Sequence, residues 1–364
     1  MNWFAPFSDL ISCLALLTAF CIATCFPQSK ALGGVDLVQL TDLHLFGGVS
    51  ENDRALRACI AEINRELVSG KPVNCVVVTG DLGLQDLIAT GAAGHRTVVA
   101  NAEDLLTTES KKFADIVATS RVKTWLFLPG NNDLIDENPE SLRYFSKFLA
   151  DVSSDIGGTI NIVNLAAGGR AAVYEIGNLS IIGFNNASFK SNNNVTDSSK
   201  FAESQLAALS ELDSRVSRAN YAYIFYHVPE IDDPYLVRTN PALAKTFDKD
   251  FRYSAWTVKP AVRQAWNNII SRENVRGLFA GHFHDYHRDT YQNYHWVRTL
   301  KYAPASLIKL YLCPPVAIKN QERIEPSEQA RGYRRIHIDD TGSVRSQIVW
   351  MTSNAFIQSP ALSD

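Results

Sequence analysis

Five segments of the chain end in side chains that bind cations or phosphate: Leu37-Val-Gln-Leu-Thr-Asp42-Leu-His44, Val76-Val-Val-Thr-Gly-Asp81, Leu126-Phe-Leu-Pro-Gly-Asn131-Asn132-Asp133, Ile224-Phe-Tyr-His227-Val-Pro229 and Leu278-Phe-Ala-Gly-His282-Phe-His284. Singly, each has a structural explanation. Asp-x-His arises by chance, Gly-Asp closes many strands, Gly-Asn-Asn-Asp is a good turn, and one histidine after an apolar run is usually a satisfied core residue. Gly-His-x-His is more specific, since two imidazoles one residue apart can point the same way. All five together, in this order and each behind an apolar run, point to a metal site.

Such a site needs elements that bring distant segments to one place. Apolar runs rich in Val, Ile and aromatic residues predict strands at Val35–Leu40, Asn74–Thr79, Thr124–Leu128, Ala171–Ile176, Leu179–Phe184, Tyr221–Tyr226, Arg276–Ala280, Ala305–Leu312, Gly332–Ile338 and Val344–Trp350. Helical spacing of apolar residues marks Asp53–Val68 and Ala102–Thr119 between the first three strands, and Glu203–Ala219 and Val258–Arg272 before later ones. The alternation predicts an α/β fold with two mixed sheets face to face and helices outside. In α/β sheets ligands bind beyond the carboxyl ends of strands, where all five segments end. The polar stretch Ser191–Lys200 reads as a surface loop. Residues Ala303–Asp364 look too short to bury their own core, so they are expected to complete a single domain spanning 32–364.

The ordered set of Asp-x-His, Gly-Asp, Gly-Asn-x-Asp, a lone His and Gly-His-x-His resembles the calcineurin-like metallophosphoesterase superfamily, over about Val35 to His284. The resemblance implies a first metal ion on Asp42, His44 and His284, a second on Asn131, His227 and His282, and Asp81 shared by both. Mixed nitrogen and oxygen ligands suit Zn, Mn or Fe rather than Ca. Two such dications close together can activate a water at neutral pH and clamp phosphoryl oxygens for in-line attack. A shared carboxylate holds the pair against mutual repulsion. Asp133 is expected to orient a nearby ligand or backbone group by hydrogen bonding.

Two departures narrow the resemblance. Many relatives carry His where this chain has Asn132, and an amide can bind a phosphoryl oxygen but cannot protonate a leaving group. Purple acid phosphatases have a Tyr ligand where this chain has Leu84, which argues against a ferric–tyrosinate centre. Other flanks resemble the acid sphingomyelinase-like and endopolyphosphatase branch: His227-Val-Pro, the Ala303-Pro-Ala-Ser turn, and Gly332-Tyr-Arg-Arg-Ile-His-Ile-Asp-Asp-Thr-Gly-Ser-Val. His287 is the first candidate to replace the missing proton donor, with His95 and His295 behind it, while His337 sits in a strand pattern. The long segment Glu230–Trp256 reads equally well as a lid or as a solvated insertion.

Composition bounds the partners. A net charge of -3 and no Lys or Arg run give no nucleic-acid-binding surface. The apolar segment from Asn2 to Phe26 reads as an export signal, with cleavage after Ala31 in Ser29-Lys30-Ala31. Two other readings compete: a lipoprotein acylated at Cys25, and an uncleaved anchor. Three of the six cysteines lie in that segment, and Cys59, Cys75 and Cys313 read as buried thiols rather than a disulfide framework. Asn178-Leu-Ser, Asn186-Ala-Ser and Asn194-Val-Thr are glycosylation sequons in a eukaryotic secretory setting. The expected activity is hydrolysis of a phosphodiester, nucleotide or polyphosphate by metal-activated hydroxide outside the cytoplasm. The rivals are a phosphomonoesterase or lipid-pyrophosphate hydrolase, and a regulatory protein that binds phosphate after losing turnover through Asn132.

Overall fold

The computed structural model describes residues 34–363 except 46–49, 91–95, 134–138, 166–168, 188–197, 231–259, 285–287, 300–305, 318–329 and 353–355. Its strands explain why the apolar runs are continuous. In β1 (Val35–Leu40), Val35 and Leu37 face one core while Val38 and Leu40 face another. β2 (Cys75–Thr79) and β5 (Thr124–Leu128) divide in the same way, Cys75, Val77, Leu126 and Leu128 to one side and Val76, Val78, Trp125 and Phe127 to the other. A strand covered on both faces needs apolar residues at nearly every position.

β1, β2, β5 and β6 (Asn161–Val163) run parallel in one sheet. Beyond β1 the sheet continues antiparallel through β13 (Gly332–Ile338) and β14 (Val344–Met351), with β15 (Phe356–Gln358) and β16 (Leu362–Ser363) both on β14. The second sheet takes the order β11 (Tyr294–Thr299), β12 (Ser306–Leu312), β10 (Val275–Ala280), β9 (Tyr221–Tyr226), β8 (Leu179–Phe184), β7 (Ala171–Ile176). Its inner strands β8, β9, β10 and β12 are parallel. A small hairpin, β3 (Ile88–Thr90) with β4 (Arg96–Val98), follows β2.

The layers follow from amphipathic helices. α1 (Ser50–Val68), α2 (Ala102–Val117) and α3 (Pro139–Ile156) share a core with the outer face of the first sheet through Leu56, Ile60, Leu106, Phe113, Phe145 and Phe148. α4 (Ser198–Val216) and α5 (Pro260–Ile270) cover the second sheet through Leu209, Leu212, Val262 and Trp266. Between the sheets lies a third core, where Phe279 stacks on Phe225 at 4.6 Å and on Tyr311 at 5.1 Å between ring centroids. This is the expected α/β sandwich of two sheets with helices outside.

Differences from expectation are local. α3 and β11 were not expected. α3 carries a helical stripe of Phe145, Phe148, Leu149 and Val152 that its serines and acidic residues dilute. Among the described residues β11 is an edge strand paired with β12 alone, and its large polar-tipped residues hide the alternation. The expected loop over 191–200 gives way to α4 at Ser198. Cys59, Cys75 and Cys313 are free and buried. From the carboxyl-terminal region, β13 lies beside β1 and β12 beside β10. Among the described residues no helix is long and apolar enough to cross a membrane. The segment 1–33, the turn 303–305, the stretch 231–256, His95, His287 and Asn194 lie outside the described residues.

Candidate metal centre

The loops that leave β1 and β2 stay zipped together past the strand ends. The Asp42, His44 and Leu45 amides donate to the carbonyls of Gly80, Asp81 and Leu82 at 3.0, 2.9 and 2.9 Å. This pairing is reached through left-handed backbone at Asp42 (φ 54°), His44 (φ 44°) and Asp81 (φ 50°), and His282 does likewise after β10 (φ 73°). These four are the non-glycine residues with positive φ among those described. Such strain costs free energy and gathers at functional sites. Gly130 is required for a different reason: a Cβ there would strike the Asp81 carboxylate.

The four bends bring together the donors. One oxygen or nitrogen from each of Asp42, His44, Asp81 and His284 lies within 4.8 Å of the others, and a second group of Asp81, His227 and His282 meets the same limit. Asp81 belongs to both. His284 Nε2 is 2.9 Å from Asp42 Oδ1 and 3.3 Å from His44 Nε2. His227 Nε2 is 3.1 Å from Asn131 Oδ1, 3.2 Å from His282 Nδ1 and 3.3 Å from Asp81 Oδ1. Asn131 therefore joins the second group. All these side chains are buried except Asn131 and His284, which are partly exposed, so the cluster opens to solvent on their side.

Neighbouring groups aim the donors. The Thr79 carbonyl lies 2.7 Å from His227 Nδ1, which places the proton there and leaves the Nε2 lone pair facing the cluster. The Thr41 hydroxyl donates to Asp42 Oδ2 at 2.7 Å, and the same oxygen accepts the His282 amide at 3.0 Å. Asp133 accepts four backbone amides, from Gly130 at 2.8 Å, Leu82 and Gly83 at 3.0 Å, and Leu84 at 3.2 Å, which ties the β5 loop to the β2 loop.

Charge in the cluster is balanced by proximity. Burial disfavours the Asp42 carboxylate, but His284 beside it holds the group down at about 2. Burial opposes charge on Asp81 too, and His227, His44 and His282 keep it well below the usual carboxylate range. Burial likewise opposes a charged His227, yet Asp81 and Asp42 raise it to about 9. Asp133 moves the other way, pushed up to about 6 by burial and by the Asp81 carboxylate against its backbone donors. Without a cation His227 carries a second proton, on Nε2, and that one proton cannot satisfy the amide oxygen, carboxylate and second imidazole that surround it. A cation can accept lone pairs from all of them, and the imidazole, carboxylate and amide donors are those that transition-metal ions take.

The expected residues Asp42, His44, Asp81, Asn131, His227, His282 and His284 converge here, with Asp133 behind them. Asn132 is buried and turned onto Asp81. His295 is a buried residue of β11, and His337 pairs with Asp36 at 3.3 Å at the opposite end of β1. Asn186 was read only as a sequon. It is fully buried, accepting the amides of His227 and Val228 at 3.0 and 3.1 Å and donating to the Val228 carbonyl, so in the folded chain it holds the His227 loop and is closed to a glycan. Its position just past β8, next to β9, was the available signal.

The model of the calcineurin-like phosphoesterase family matches residues 36–286, more than two thirds of the chain, from β1 to just past His284. The chain belongs to that family, a class of metal-dependent phosphoester hydrolases. The comparison with curated proteins finds no match, so the family model and the donor cluster carry the assignment together.

Proposed function

We propose that the centre holds two transition-metal ions, one on Asp42, His44 and His284, the other on Asn131, His227 and His282, with Asp81 shared. The observation that carries this reading is the membership of Asp81 in both donor groups. Zn, Mn or Fe suits the donors. When bound, such a pair supplies an activated water and an electrostatic clamp for phosphoryl oxygens. The chain's own part is to hold donors in place: Thr79 fixes the His227 tautomer, Thr41 and the His282 amide fix Asp42, and Asp133 locks the two loops that carry Asp81 and Asn131. Partly exposed Asn131 and His284 mark the side from which a phosphoester enters.

The substrate is a phosphodiester, nucleotide or polyphosphate, and the flanking motifs favour the acid sphingomyelinase-like and endopolyphosphatase branch. The apolar amino-terminal segment supports export, with a mature start near Leu32. Metal analysis of the purified protein, followed by assay against phosphomonoesters, diesters, nucleotides and polyphosphate with and without chelator, tests the reading. Two ions per chain and chelator-sensitive hydrolysis of diesters or anhydrides are expected. Full activity in excess chelator would sink it. Amino-terminal sequencing tests export, which an intact Met1 on a cytoplasmic protein contradicts.

A further inference from the structure

Behind the donors lies a polar pair that the metal chemistry does not use. Gln39 of β1 stands opposite Arg334 of β13 in the antiparallel register, and both are fully buried. Their neighbours on the same faces, Leu37 and Ile336, belong to the apolar core between the sheets. Arg334 has no carboxylate partner among the described residues; it bonds to the Ser346 hydroxyl and to the carbonyls of Tyr291 and Leu312, at 2.6 and 2.7 Å for the two carbonyls. Burial pulls the guanidinium down to about 10, so it remains charged at neutral pH. A buried charge without a counter-ion is costly to keep, and an apolar residue would normally serve the core better.

Both residues reach across to one loop. Gln39 Nε2 donates to the Ala280 carbonyl at 3.2 Å, which also accepts the Cys313 amide at 2.8 Å. Arg334 holds the Tyr291 carbonyl, and the Tyr291 hydroxyl donates to the Phe283 carbonyl at 2.8 Å. Ala280 and Phe283 bracket Gly281 and His282, so the turn is held at both ends. This loop supplies one imidazole to each donor group, His284 to that of Asp42 and His44, and His282 to that of His227. Its orientation therefore sets how the two groups face each other.

We propose that Gln39, Arg334 and Tyr291 are positioning residues, a buried hydrogen-bonded brace that keeps the His282 and His284 imidazoles aimed at their two cations. The proposal rests on the two-cation reading above. It follows that loosening the brace at Tyr291 weakens both ions together, while leaving the remaining donors intact.

Tyr291→Phe is the direct test, because it removes one hydroxyl without adding volume. Zn affinity is measured by chelator competition on protein shown to be folded by circular dichroism, and kcat is followed as Zn is titrated to saturation. The expected result is a loss of about 10- to 100-fold in affinity for both ions, the size usual for an outer partner of a metal ligand, with kcat largely restored at saturating Zn. Gln39→Met should act in the same direction through Ala280, and decides the matter if Tyr291→Phe does not fold. A purely structural role would lower the unfolding midpoint of chelated protein and leave Zn affinity at the wild-type value; that result overturns the brace alone. A wild-type protein that does not bind two ions overturns the two-cation reading and the brace with it.

Discussion

Asn132 grips Asp81 at two points: its backbone amide donates to Oδ1 at 2.9 Å and its side-chain amide to Oδ2 at 2.5 Å. The side chain at the position where the sequence reading looked for a proton donor is thus engaged with the carboxylate shared by both donor groups. An amide so engaged has no proton to pass to a leaving group.

Hydrolysis should therefore depend steeply on leaving-group pKa, with phosphoanhydrides and aryl esters far ahead of alkyl esters. General acid catalysis is worth on the order of a hundredfold to ten-thousandfold, so the gap should be plain in a plot of log rate against leaving-group pKa. Equal rates for alkyl and aryl esters, with chemistry rate-limiting, would show that another group supplies the proton. His287 would then be substituted first.

Asp81→Asn should weaken both cation sites together by about 10-fold or more, whereas His44→Ala should act mainly on the first. Equilibrium dialysis followed by metal analysis separates the two patterns. Loss of a single ion from Asp81→Asn would mean that the carboxylate is not shared.

Asp133→Asn replaces two acceptor oxygens by one oxygen and one NH₂, which must then face backbone amides that donate to it now. An unsatisfied buried group of this kind costs on the order of 3 kcal/mol, so chelated protein should unfold at clearly lower urea. An unchanged midpoint would mean that the β2 and β5 loops do not depend on this carboxylate.

Cations that bind only the folded chain raise its stability by mass action, about 2.7 kcal/mol at a free concentration a hundred times Kd. Adding a chelator should therefore lower the melting temperature, and restoring Zn or Mn should recover it. A melting curve indifferent to both would argue against tight binding.

The donors were legible because each closes an apolar run, and the runs read as strands because they are buried on both faces. What lay behind the donors was not. Thr79 and Ala280 act through backbone carbonyls, which leave no trace in residue type. Arg334 and Arg335 are adjacent, yet the pleat sends one between the sheets and the other outward to Glu66 at 2.8 Å, and only the fold separates a brace from an ordinary ion pair. Asn186 drew attention for the wrong reason, since an Asn-x-Ser triplet says nothing about whether its amide is already spent on two neighbouring amides.

The order of the chain adds a consequence for synthesis. Every donor has been made by His284, yet β12 and β13, the neighbours of β10 and β1, come later. A nascent chain that stops at residue 286 would hold all the donors while its two most important strands lay as open edges, and Gln39 would lack Arg334 across the register. Open edges invite pairing with other chains. The donors alone are therefore not enough: a chain cut before residue 306 is expected to self-associate rather than build the centre, because the strands that close β1 and β10 follow the donors in the sequence.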